Sequence, residues 1–152
     1  MTRPLIIPPG AAHTVTAFGS AIDFKLEGKD TGGALCLGIA TTPPGVGPPL
    51  HVHQQDDELF IVIEGELSFQ TPDGPVSATA GTVVFLPRGV PHTFRNTGSA
   101  PSRHWVLTAP SGFEAFYARC AELFANGPPP PNEIGAIAAE YGYQFLGPPP
   151  KG

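Results

Sequence analysis

Two histidines one residue apart, His51 and His53, are followed five residues later by Glu58. Side chains at i and i+2 of a strand share a face, so the two imidazoles project together. Glu58, after a short turn, rejoins them from the next strand. Two imidazoles and a carboxylate on one face make up most of a transition-metal site. A second stretch, from Gly81 to Asn96, supplies a third histidine, His92, on a strand that follows the rigid turn Pro87-Arg88-Gly89-Val90-Pro91.

The elements that must position these residues are short. The chain has 152 residues, 41% hydrophobic and 14% charged, which fits one domain with a compact core. Its 19 Gly and 20 Pro fall largely in clusters between apolar runs, where they act as turn residues. The result is an all-β pattern, a sandwich or a barrel. Strands are expected over 14–20, 22–26, 34–41, 58–63, 67–70, 76–80, 82–86, 92–96 and 104–109, after an extended arm over 1–12. In the run 34–41, Leu35, Leu37 and Ile39 alternate with Ala34, Cys36, Gly38 and Ala40. The small face either leaves room for a ligand inside a barrel or packs closely against another sheet. Ser111 and Glu114 form a capping box before a helix over 112–125, on which Phe113, Phe116, Tyr117, Cys120 and Phe124 recur at helical spacing. Asn132 is expected to cap a second helix ending at Tyr141, and the tail from Gly147 is expected to fray.

The net charge of -5, without any Lys/Arg cluster, gives no footprint for nucleic acid, and no apolar run is long enough for a membrane span. The N-terminus lacks the apolar stretch of a signal peptide, so a cytoplasmic location is the default. Cys36 and Cys120 have no disulfide or thiolate-metal spacing and read as small buried hydrophobes.

Set in order, these residues resemble the two motifs of the cupins. Gly45, His51, His53, Glu58 and Gly65 match the first, and Gly81, Pro87, Gly89, His92 and Asn96 the second. The likeness covers residues 34–109, with the short segment between motifs usual in small bacterial single-domain cupins. It implies an antiparallel double-stranded β-helix, a jelly-roll barrel core over 14–109 with one or two short C-terminal helices over 111–146. It also implies that His51, His53, Glu58 and His92 hold one divalent transition metal. Imidazoles with one carboxylate suit Fe, Mn, Ni, Co, Cu or Zn alike.

If Glu58 points inward, strand parity turns Phe60 and Val62 inward too, and His92 brings Phe94 and Asn96 with it. These four are the candidate substrate contacts around a small, planar ligand, although each also serves as core packing. Asp56, Asp57 and Glu64 read as solvated turn residues, Arg88 as a surface residue, and His13 and His104 as surface or packing histidines. The helix led by Phe113 packs on the barrel, covers the pocket or joins a dimer interface. The chain is similar to the quercetin 2,3-dioxygenase group, which implies a dioxygenase in which Glu58 doubles as a catalytic base. A metal-assisted cyclase, isomerase or lyase needs the same site without dioxygen, and a binding protein needs it without a reaction. A small-molecule substrate and a homodimer are the expected partners.

Overall fold

The computed structural model describes residues 3–11 and 13–151. Residues 1, 2 and 12 of the expected arm and residue 152 of the expected tail lie outside the described residues. The chain runs through β1 (His13–Ala17), β2 (Ser20–Leu26), a single helical turn α1 (Gly28–Thr31) and β3 (Cys36–Thr42). It continues through β4 (His51–His53), β5 (Asp57–Glu64), β6 (Glu66–Thr71), β7 (Gly74–Thr79), β8 (Val83–Leu86), β9 (Thr93–Asn96) and β10 (Ser102–Ala109). Two helices, α2 (Phe113–Phe124) and α3 (Pro131–Glu140), precede a last strand, β11 (Tyr143–Phe145).

One sheet has six antiparallel strands in the order β1-β2-β3-β10-β5-β8, and facing it are β7-β6-β9 and the pair β11-β4. An antiparallel bridge between His51 and His92 joins β4 to the start of β9, so the two smaller sheets form one continuous layer. The fold is the double-stranded β-helix that the motifs imply. Its two layers meet through alternate residues. Phe60 of β5 lies 5.4 Å, ring to ring, from both Phe69 of β6 and Phe94 of β9, and each such aromatic pair adds about 0.5–1.5 kcal/mol beyond its buried area.

On β3 the small face turns inward, with Cys36, Gly38, Ala40 and Thr42 all buried, while Leu37 and Ile39 face outward. Two glycines set the strand ends that carry the site. Gly65 has φ 84°, which makes the tight β5-β6 turn. A Cβ on Gly47 would sit 1.8 Å from the Phe94 carbonyl oxygen, so only glycine lets the segment before β4 pass this close to β9.

Helix α2 buries Phe116, Tyr117 and Cys120, and the single Tyr117 hydroxyl proton is shared between the carbonyls of Ala17 (2.6 Å) and Ser20 (2.8 Å), fastening the helix to the β1-β2 turn. Its N-cap is Gly112, where the sequence points to Ser111. The Ser111 backbone N–H is drawn to the Gly33 carbonyl, so only the Glu114 half of the capping box forms, its carboxylate accepting from the Gly112 N–H at 2.8 Å. Helix α3 is capped at Pro130 and not at the expected Asn132, with Pro131 at the first helical position, where its fixed φ and missing N–H are well suited. No helix of the described residues is long and apolar enough to cross a membrane.

Candidate metal centre

Each ligand side chain is aimed by its strand and fixed by a bond on its far side. His51 and His53 share a face of β4, while Glu58 comes from the opposite sheet, paired with Thr108 of β10 and Leu86 of β8. His92 is set beside His51 by the two backbone hydrogen bonds of their bridge, at 3.1 and 2.9 Å. One ligand atom from each of the four lies within 4.8 Å of every other.

The Nδ1–H of His51 donates to the Pro49 carbonyl at 2.7 Å and that of His92 to the Val90 carbonyl at 3.0 Å. His53 donates from Nδ1 to the Asp56 carboxylate at 2.9 Å. Because carbonyls and carboxylates only accept, all three rings carry their proton on the outer nitrogen and turn an Nε2 lone pair inward. Those lone pairs face one another and the Glu58 carboxylate, which lies 3.0 Å from His92 Nε2 and 3.5 Å from His53 Nε2. A divalent cation satisfies such a set, and a single proton does not. Outer contacts of this kind fix tautomer and ring angle in metal sites generally.

The electrostatics agree. Burial, with the neighbouring His92 and His53 rings, pushes His51 down to about 3, so it is neutral at pH 7. Burial opposes ionisation of Glu58, but the electrostatic pull of His53, the His92 contact and the His51 ring outweigh it and hold the carboxyl down at about 2. Burial likewise opposes the charged form of His53, yet Glu58 and Asp56 together raise its pKa.

The set opens onto a cavity of about 60 Å³ walled by residues of both sheets and of α2, among them Ala40, Phe60, Phe94, Phe113 and Phe116. Of the four candidate substrate contacts, Phe60 and Phe94 are on this wall. Val62 is buried in the core away from it. Asn96 is spent on backbone: its Nδ2 donates to the carbonyls of Thr42 and Ala100, and its Oδ1 accepts from the Gly98 N–H. Those three bonds hold the chain after β9, and Asn96 does not line the cavity. The small face of β3 reaches the cavity through Ala40, and α2 both packs on the barrel and walls the pocket.

Residues 38–107, which span all four ligands, match the family model described as Cupin domain. The chain carries a cupin domain. It is 35% identical over 120 residues to germin-like protein 1-1 of Oryza sativa subsp. japonica, a match over 75% of the chain and 54% of that protein. The chain thus spans about half the length of this relative. Among solved structures it superposes on the polyketide cyclase RemF from Streptomyces resistomycificus with TM-score 0.60, 19% identity, and coverage of 73% of the chain and 81% of RemF. A sugar phosphate isomerase of the cupin superfamily from Silicibacter pomeroyi gives TM-score 0.61 and 19% identity, covering 69% and 75%. At such identities the likeness is one of fold. Germin-like protein 1-1 is a plant protein, and neither it nor these two structures bears on the quercetin 2,3-dioxygenase likeness.

Three residues of the site escape the motif reading. Asp56, expected as a solvated turn residue, is 4% exposed, because the β4-β5 connection dips inward between the two layers. A buried carboxylate is costly without donors, and Asp56 Oδ2 has two, His53 Nδ1 and the Tyr143 hydroxyl at 3.3 Å. Tyr143 itself belongs to β11, which runs antiparallel to β4 with Tyr143 opposite His53 and Phe145 opposite His51, roofing the ligand strand. The third is His104, 1% exposed on the cavity wall, with no hydrogen-bond partner for its Nδ1. By contrast Asp57 and Arg88 form an exposed pair at 3.1 Å, Glu64 faces Arg103 at 3.5 Å, and His13 is exposed beside Glu27.

His104 also sets a pH dependence. Burial pushes its ring down to about 4 from an ordinary 6.5, with nearby Glu58 only partly offsetting this. Between these values the unfolded chain binds a proton that the folded one refuses, so stability rises with pH across the window and is lost as pH falls from 6.5 to 4. The full loss is roughly 3 kcal/mol at about 1.36 kcal/mol per pKa unit. Urea unfolding of the metal-free protein at pH 7, 5.5 and 4.5 is expected to show this decline, with a shallower slope in His104→Phe. Equal slopes in both proteins would contradict it.

Proposed function

We propose that the protein is a metal-dependent enzyme of dioxygenase type acting on a small, mostly apolar substrate that presents an enolisable or phenolic oxygen. The observation that carries this reading is the pairing of four converging ligand atoms with an apolar cavity in which, among the described residues, Glu58 is the one carboxylate and no lysine or arginine takes part. Neutral His51, His53, His92 and ionised Glu58 would hold the metal. Once bound, a divalent metal supplies a Lewis acid for the substrate oxygen and, if redox-active, a partner for dioxygen.

The chain's own residues do the rest. Phe60, Phe94 and Phe113 exclude water and offer flat walls to a conjugated ring. Glu58 is the group on the wall placed to take a hydroxyl proton. The same contacts that keep it ionised make it a weak base, so it works on a hydroxyl already acidified by its surroundings. A dicarboxylate substrate fits poorly, because no side-chain cation lines the cavity to balance its second charge.

Anaerobic reconstitution with Fe, Mn, Ni, Co, Cu or Zn in turn, followed by oxygen uptake with flavonols, catechols and β-diketones, tests the reading. Uptake with at least one redox-active metal is expected. Absence of uptake with all of them would sink the dioxygenase reading, and turnover with zinc under argon would replace it with a non-redox cyclisation or isomerisation.

The second expected partner is another copy of the chain. Ile61, Val83 and Phe85 stand exposed on the outer face of β5 and β8, with Ile61 directly opposite Val83 and β8 at the sheet edge. Covering that apolar edge favours a homodimer. Light scattering should give twice the chain mass, and a monomer mass would remove this proposal.

A further inference from the structure

We propose that His104 is a substrate-recognition residue, whose unpartnered ring nitrogen hydrogen-bonds a second oxygen of a ligand while the ligand's first oxygen is held at the His51, His53, Glu58 and His92 set. The claim about the first oxygen rests on the function proposed above, and the claim about His104 rests on its own geometry.

On β10, Thr108 lies opposite Glu58 and His104 opposite Val62. The four residues from Thr108 to His104, at about 3.3 Å each, carry the chain roughly 13 Å along the sheet. His104 therefore stands well along the wall from the ligand set, yet it lines the same cavity. Around it are faces that cannot accept or donate: Phe60 lies 4.4 Å away, ring to ring, and Phe94 5.4 Å. Buried polar atoms in folded proteins nearly always find a partner, and His104 Nδ1 is the one buried side-chain nitrogen or oxygen among the described residues that has none. A phenylalanine would pack on Phe60 and Phe94 equally well without that penalty. Sites that recognise a polar ligand group carry such an atom in their empty state and reject analogues that cannot pair with it.

The chemistry of the recognised group follows from the ring. His104 is neutral at pH 7, held so by burial, and no cationic side chain lines the cavity. A neutral imidazole pairs with a carbonyl or hydroxyl oxygen, whereas a carboxylate there would bring a charge that no cation in the cavity balances. The substrate class is accordingly a compact conjugated compound with an enolic or phenolic oxygen at one end and an uncharged oxygen function at the other.

Calorimetry on the full zinc-loaded chain with tropolone and 5-hydroxytropolone, which differ in one distal hydroxyl, tests this. In the unaltered protein the extra hydroxyl is expected to tighten binding at least tenfold. In His104→Phe the two ligands should bind alike, while the melting temperature stays level or rises. An equal preference for the hydroxylated ligand in both proteins would overturn the proposal.

Nitrogen-15 spectra of histidine-labelled, metal-free protein with phenol and with benzene decide the matter even if the variant does not fold. Phenol should shift the His104 Nδ1 resonance and benzene should not, and equal shifts would overturn the proposal. Failure of tropolone to bind the zinc-loaded chain, with the phenol shift intact, would sink the metal-anchored reading and leave His104 standing. Tropolone binding indifferent to the distal hydroxyl would sink the role of His104 alone.

Discussion

His92→Ala is expected to lower metal affinity by more than the roughly 10–100-fold that loss of an outer contact costs, with the barrel still folded. The imidazole is fully buried, its Nε2 lies 3.0 Å from Glu58, and it is the one histidine ligand supplied by the second motif. Its removal leaves two imidazoles and a carboxylate, one ligand short of the set. The backbone bonds to His51 do not depend on the side chain, so β4 and β9 keep their register. Metal content after dialysis and circular dichroism measured on the same sample separate loss of metal from loss of fold. His13→Ala is the control, since His13 is exposed and far along the chain from the set. Retention of metal by His92→Ala at the unaltered protein's affinity would remove His92 from the ligand set.

Asp56→Ala carries the second largest effect, a loss of about 10–100-fold in metal affinity without touching a ligand. Its carboxylate fixes the proton of His53 on Nδ1 and so keeps Nε2 free to bind. It also anchors β11 through the Tyr143 hydroxyl, and the Tyr143 ring lies 4.5 Å from that of His53. Without it His53 is free to rotate or to change tautomer, and the roof over β4 loosens. Asp56→Asn keeps an oxygen acceptor and should recover part of the loss, whereas Tyr143→Phe, which removes only the longer bond, should cost less than Asp56→Ala. An Asp56→Ala protein that binds metal as tightly as the unaltered chain would show that His53 needs no outer partner.

The residues that sequence made legible are those whose meaning lies in local spacing. His51 and His53 share a face because strand parity demands it, and β3 shows its small and bulky faces in its alternation. Which face turns inward was open, because parity alone does not say on which side the second sheet lies; packing of Phe60, Phe69 and Phe94 from two layers settles it. Asp56 and Asp57 are adjacent and chemically identical, yet one is buried under His53 and the other meets Arg88 at the surface. Only the path of the β4-β5 connection distinguishes them. Nothing short-range marks Tyr143–Phe145 as a strand, since β11 exists through its pairing with residues some ninety positions earlier. Asn96 sits at a motif position with inward parity, but its amide completes three backbone bonds that no spacing reveals. His104 lies outside both motifs, and its interest comes from an absence of partners that only the packed interior displays.

X-ray absorption on the chain reconstituted with a single divalent metal tests the central claim most directly. One metal per chain is expected, with scattering from three imidazoles and with nitrogen and oxygen ligands at about 2.0–2.2 Å. Fewer than three imidazoles around the bound ion would contradict the joint assignment of His51, His53 and His92.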